Sequence, residues 1–235
     1  MTHSIMLENI GCLITESSSG LEYKSDASLL LKGDCIESIG SGSADTIIDC
    51  KGKLVTPGFV DSHTHLIFND LRTEEHQMRL SGATYEEIAN NGGGIVSSVE
   101  SVQSATPKEL FNIAIPRLDR FISMGTTTIE AKSGYGLNTE SELKSLKVIN
   151  KLSEKHPIDI IPTFMGAHAF PVEYEDKKDA YVDLVINEMI PEIKKQGIAK
   201  FIDVFCEEGY FNIDQSKRIL QAGISAGLKP RVHAD

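Results

Sequence analysis

The sequence predicts an α/β protein: a (β/α) TIM-like barrel with its first five strands present, behind a small N-terminal β-sandwich-like module. Three observations carry this. Short apolar runs broken by Gly, Ser and Asp clusters fill residues 1–53. From residue 54, strand-like apolar runs alternate with amphipathic helical stretches, and each strand-like run ends on polar groups. Such alternation implies parallel strands joined by right-handed crossovers. A doubly wound sheet would want a Gly-rich phosphate loop after its first strand, and none is present there.

In the first module, apolar runs at 5–7, 29–31, 36–39 and 47–48 are punctuated by Ser17-Ser18-Ser19-Gly20 and Gly40-Ser41-Gly42-Ser43. That is a pattern of short strands and turns. About fifty residues supply little core for a free-standing domain, so the module is expected to dock on something else.

Residues 54–60, 127–131, 158–164, 202–205 and 230–233 are the expected barrel strands. Thr106-Pro107-Lys108-Glu109 supplies an N-cap, a proline at the first helical position and a capping-box glutamate. Leu110, Ile113, Ala114, Leu118, Phe121 and Ile122 then form one apolar face, which Gly125 ends. Pro116 should kink that helix. Thr139-Glu140-Ser141-Glu142 opens a second helix, with Leu143, Leu146, Ile149 and Leu152 inward. A third spans 181–195 with a break expected at Pro191, and a fourth spans 212–226 and stops at Gly227. A closed barrel needs eight strands. Residues 54–235 are therefore expected to be a barrel incomplete at its C-terminus, the N-terminal portion of a longer protein.

Composition narrows the function. The chain has 235 residues, 40% hydrophobic and 24% charged, as a soluble globular protein does. With 23 basic and 34 acidic residues the formal charge is −11, which repels phosphate backbones and argues against nucleic acid. Cys12, Cys35, Cys50 and Cys206 lack paired metal-type spacing and read as reduced, buried thiols of a cytoplasmic protein. No run approaches the roughly 18 apolar residues of a membrane span, so no membrane partner is expected.

The chemistry starts at Asp61-Ser62-His63-Thr64-His65. A strand has period two, so His63 and His65 point to one side and offer two imidazoles to one ion. His233, at the fifth strand end, is the natural third ligand, leaving an open position for water. The other strand ends carry Glu130, Lys132 and Tyr135; His168; and Glu207 with Glu208. Glu130 and Lys132 are candidates for an ion pair at the pocket floor, and Glu207 and Glu208 for orienting groups or exposed loop charges. His3, His76 and His156 are assigned nothing.

Residues 57–65 and His233-Ala234-Asp235 resemble the first-strand and fifth-strand motifs of the amidohydrolase superfamily. Within it, Gly82-Ala83-Thr84-Tyr85, Gly92-Gly93-Gly94-Ile95, Lys132-Ser133-Gly134-Tyr135-Gly136-Leu137, 162–168 and 205–209 are similar to the branch acting in histidine degradation. The resemblance implies an amidohydrolase-type barrel that hydrolyses the small molecule 4-imidazolone-5-propanoate to N-formimino-L-glutamate. It also implies one Zn or Fe ion per chain and a homodimer. It makes His63, His65 and His233 metal ligands, and gives Arg72, Tyr85, Tyr135 and His168 to substrate binding. His168 is in addition the expected catalytic group, stabilising the oxyanion with the metal. A guanidinium suits the substrate carboxylate. A purine or pyrimidine deaminase of the same superfamily, a non-catalytic scaffold and an inert fragment are the rival readings.

Overall fold

A computed structural model describes residues 2–71, 73–84 and 93–234. It forms two compact units, Met1–Gly58 and Phe59–Asp235.

The first unit is one hydrogen-bonded sheet of five strands. β1 (Ser4–Ser17) and β2 (Gly20–Lys32) form a long antiparallel hairpin closed at Ser17↔Gly20. β3 (Cys35–Ile39) pairs antiparallel with β2. β4 (Thr46–Asp49) and β5 (Leu54–Val55) lie parallel to successive stretches of β1. The buried residues Met6, Ile10, Leu13 and Leu29 sit on the two long strands, too few to build a second layer. Gly11 is required where it stands, because a Cβ there would lie 2.1 Å from the carbonyl oxygen of Gly52. The thiols are not buried as expected. Cys35 begins the wholly exposed β3, Cys12, Cys50 and Cys206 are half-buried, and all four are unpaired.

The strand expected over 54–60 is two strands. Pro57 brings no N–H to a ladder, and the chain changes sheets around it: Leu54–Val55 pairs with β1, whereas β6 (Phe59–Thr64) opens the second unit. β7 (Thr126–Lys132), β8 (Asp159–Ala167), β9 (Phe201–Phe205) and β10 (Lys229–His233) follow. All neighbours are parallel and the sheet order is the chain order, β6 to β10. Sequential order with crossovers of one hand puts the helices on one face, the winding of a barrel wall.

The β6–β7 connection carries α1 (Thr73–Leu80) and α2 (Ile95–Ser104), which the sequence pattern did not announce, and α3 (Pro107–Ser123). The capping box of Thr106 and Glu109 is formed, and α3 runs unbroken through Pro116. α4 (Thr139–Lys155) is capped by Asn138 and buries Leu146, Ile149 and Leu152. The third helix is not broken at Pro191. α5 (Lys178–Leu184) passes through a wide π turn, Val185–Met189, into α6 (Ile190–Gln196), and Pro191 enters in the first turn after it. α7 (Ile213–Ala226) has an Asn212–Gln215 capping box and a left-handed Gly227. These helices and the outer faces of β7 to β9 share one core that includes Ile129, Leu146, Phe164, Tyr181, Ile202 and Ile219.

Candidate metal centre

β7 alternates. Ile129 and Ala131 join the core, so Glu130 and Lys132 point to the opposite, concave face, each only 2% exposed. Asp203 of β9 is 1% exposed on the same face, and Arg231 and His233 of β10 follow in register. The result is a charged bed. Lys132 Nζ donates to Glu130 Oε2 at 2.7 Å and to Asp203 Oδ2 at 2.6 Å, and Arg231 reaches Glu130 Oε2 at 2.9 Å. Thr163 Oγ1 donates to Glu130 Oε1 at 2.5 Å. Two carboxylates meet two cations, so the bed is neutral and each charge is paired, as burial demands. The pocket-floor ion pair considered from the sequence is present.

Above it the histidines converge. His63, His65 and His233 place ligand atoms within 4.8 Å of one another. The rings of His63 and His233 are 4.1 Å apart between centroids, although they come from the two outermost strands. Laid flat, five strands would hold them about 19 Å apart; the sheet must therefore curl. His168 stacks on His65 at 4.8 Å and 17°, and Tyr135 lies 5.1 Å from His168. Four of the expected site histidines and Tyr135 thus share one cluster. Arg72 and Tyr85 lie outside the described residues. Glu207 and Glu208 line a different open cavity with Cys206 and Asp214. His3 and His156 pair elsewhere, with Thr46 and Asp119.

The ring nitrogens differ in what they have left. Asp203 Oδ2 lies 2.9 Å from His233 Nδ1. A carboxylate only accepts, so Nδ1 carries a proton and Nε2 is the nitrogen left to face a ligand. His233 Nε2 and His65 Nδ1 are buried with no partner. Burial, then the neighbouring imidazoles, holds His65 neutral down to about 2. Burial, with His233 and Lys132, also lowers His63. Burial alone would raise the Asp203 carboxyl, but hydrogen bonds from His233 and Lys132 outweigh it and hold it at about 2. Neutral imidazoles beside unpaired buried nitrogens suit a cation that accepts electron pairs.

His168, the expected catalytic group, sits beside the cluster with one ring nitrogen engaged. Its Nδ1 donates to the Gly134 carbonyl at 2.8 Å, and burial, partly opposed by that bond, lowers its pKa to about 4. At neutral pH Nε2 is therefore an acceptor. Missing from the sequence reading were Asp203 and Arg231. The signal for the first was present: an acid in the middle of the apolar run Phe201-Ile202-Asp203-Val204-Phe205.

Residues 46–135 match the family model described as Amidohydrolase family. The solved structures it resembles include 5-methylcytosine deaminase from Klebsiella pneumoniae, with a TM-score of 0.67 at 18% identity over 98% of this chain and 51% of that one. They also include a variant atrazine chlorohydrolase from Arthrobacter aurescens TC1 complexed with zinc and atraton, with a TM-score of 0.59 at 15% identity over 97% and 52%. The curled parallel sheet resembles those structures in fold, and residues 46–135 make the chain similar to the Amidohydrolase family. Its curated sequence relatives include imidazolonepropionases. That of Brevibacillus brevis is 58% identical over 80% of this chain and 45% of its own length. The chain spans about half the length of the curated relatives it matches.

Proposed function

We propose that this protein takes part in metal-dependent hydrolysis of the ring amide of 4-imidazolone-5-propanoate to N-formimino-L-glutamate, in histidine catabolism. The observation that carries this is the three-histidine cluster, with its two unpaired buried ring nitrogens, in a chain this similar to imidazolonepropionases. His63, His65 and His233 would hold one zinc or iron ion. When bound, such an ion polarises a carbonyl and lowers the pKa of water towards about 7.

The chain's own residues do the rest. Tyr135 and His168 flank the cluster, and His168 Nε2 accepts a hydrogen bond from a substrate ring N–H. Arg72 pairs with the propionate carboxylate and Tyr85 assists in holding the ring. The deaminase likeness, at 18% identity, concerns the fold alone. Four unpaired cysteines, and the lack among the described residues of a helix long and apolar enough to cross a membrane, fit a cytoplasmic site of action.

The test is direct. A protein of its relatives' full length that carries this chain should contain about one transition-metal ion per chain, lose it on His63→Ala, and act on imidazolonepropionate in preference to cytosine; the 235 residues alone should not turn it over. Metal-free protein that retains full turnover would sink the proposal.

A further inference from the structure

Beneath His233 three buried charges and the half-buried Arg231 are arranged in a definite order. Arg231 and Lys132 both hold Glu130, Lys132 also holds Asp203, and Asp203 accepts from His233. Arg231 further donates to the Ser62 carbonyl at 3.3 Å, next to His63 in sequence. The bed thus reaches strands β6, β7, β9 and β10. Asp203 Oδ2 is shared between the Lys132 ammonium and the His233 ring, so the carboxylate cannot swing away from His233 without leaving a buried ammonium short of a partner. Leaving a buried charge short of its partner is strongly unfavourable.

We infer that Asp203, fixed by Lys132, is a positioning residue that sets the tautomer and ring orientation of His233 so that its Nε2 is presented to the metal. The inference rests on the proposed three-histidine site and adds an element to it. A ring whose Nδ1–H is held by a carboxylate has one tautomer, one orientation and a more basic ligand nitrogen. His63 has no such carboxylate among the described hydrogen bonds, where only its backbone N–H appears, donating to Asp61 at 3.2 Å. His233 should therefore depend on its outer partner more than His63 does.

The experiment measures zinc affinity of the full chain by chelator competition and the ring nitrogens of His233 by nitrogen-15 NMR in the metal-free protein. Asp203→Asn keeps an acceptor and loses the charge; Asp203→Ala loses both. Zinc should bind roughly tenfold more weakly in the first and up to a hundredfold in the second. His233 should pass from a single Nδ1–H tautomer to a mixture in Asp203→Ala. If Asp203→Ala does not fold, Asp203→Asn decides. Variants that fold, bind zinc within threefold of wild type and keep the wild-type tautomer would overturn the inference while leaving the three ligands standing. Wild-type protein that binds no zinc, with His233→Ala indistinguishable from it, would instead remove the site on which the inference rests.

Discussion

His168 shows how one hydrogen bond decides a role. The Gly134 carbonyl takes the Nδ1 proton, and burial keeps the ring neutral to about 4. His168→Phe should keep the stacking on His65 and the metal, and lower kcat/KM about tenfold, since a lost hydrogen bond to a buried group costs about 1–3 kcal/mol. Unchanged kcat/KM would remove His168 from substrate binding. The same depressed pKa has a consequence for stability. Unfolded histidines take up protons near 6.5, whereas folded His168 and His65 resist to about 4 and about 2. The unfolded chain therefore binds more protons below pH 6.5. The stabilisation is whole above that pH and is lost as pH falls towards 4, on the order of 3 kcal/mol for His168 alone. Urea midpoints of the metal-free protein should drop across this window and drop less in His168→Phe. Midpoints that hold level from pH 7 to pH 4 would contradict the assignment.

At the scale of elements, the turn from β7 into α4 is held by one side chain. Glu142, in the first turn of α4, is fully buried and accepts from the backbone N–H groups of Gly134, Gly136 and Leu137. Leu137 has φ 51° and Gly134 φ 110°, so the segment carrying Tyr135 turns where few residues can. Tyr181 Oη donates to the Gly166 carbonyl at 2.7 Å and lies 3.2 Å from that of Leu137. Glu142→Gln puts an amide NH2 where N–H groups need an acceptor. It should cost about 2–3 kcal/mol in unfolding free energy, and a variant as stable as wild type would show that other groups hold the turn. None of this was legible in the sequence, where Glu142 looks like any acid at a helix start. Thr106 with Glu109 was legible because the partners lie within one turn, and Gly227 because a glycine marks a helix end. The His63 and His65 pair was legible because strand period alone aligns it. The pairing of Lys132 with Asp203, 71 residues apart, exists only once the sheet has curled. Pro57-Gly58 did mark a boundary, but an apolar run on both sides disguised a change of sheet as one strand.

Across the second unit, β6 and β10 are the outer strands of the parallel sheet, and Phe59, Val60 and Val232 on them are more than half exposed. Apolar edge strands invite pairing with other chains. The 235-residue chain should therefore self-associate with rising concentration in sedimentation velocity, and Val60→Lys should reduce it, because a charge on an edge strand opposes pairing. A species that stays monomeric at every concentration would show that these edges are protected.

The 4.1 Å between the rings of His63 and His233 makes an ion at this centre a clasp between the first and last strands of the wall. Holding that clasp and holding the curvature are one equilibrium seen from two sides. An ion that binds only the curved sheet stabilises it by about 2.7 kcal/mol at a hundred times its dissociation constant. Zinc should raise Tm in wild type and do so far less in His233→Ala, where one jaw of the clasp is missing. Equal shifts in the two would mean that the ion grips one strand and leaves the shape of the wall to the charged bed beneath.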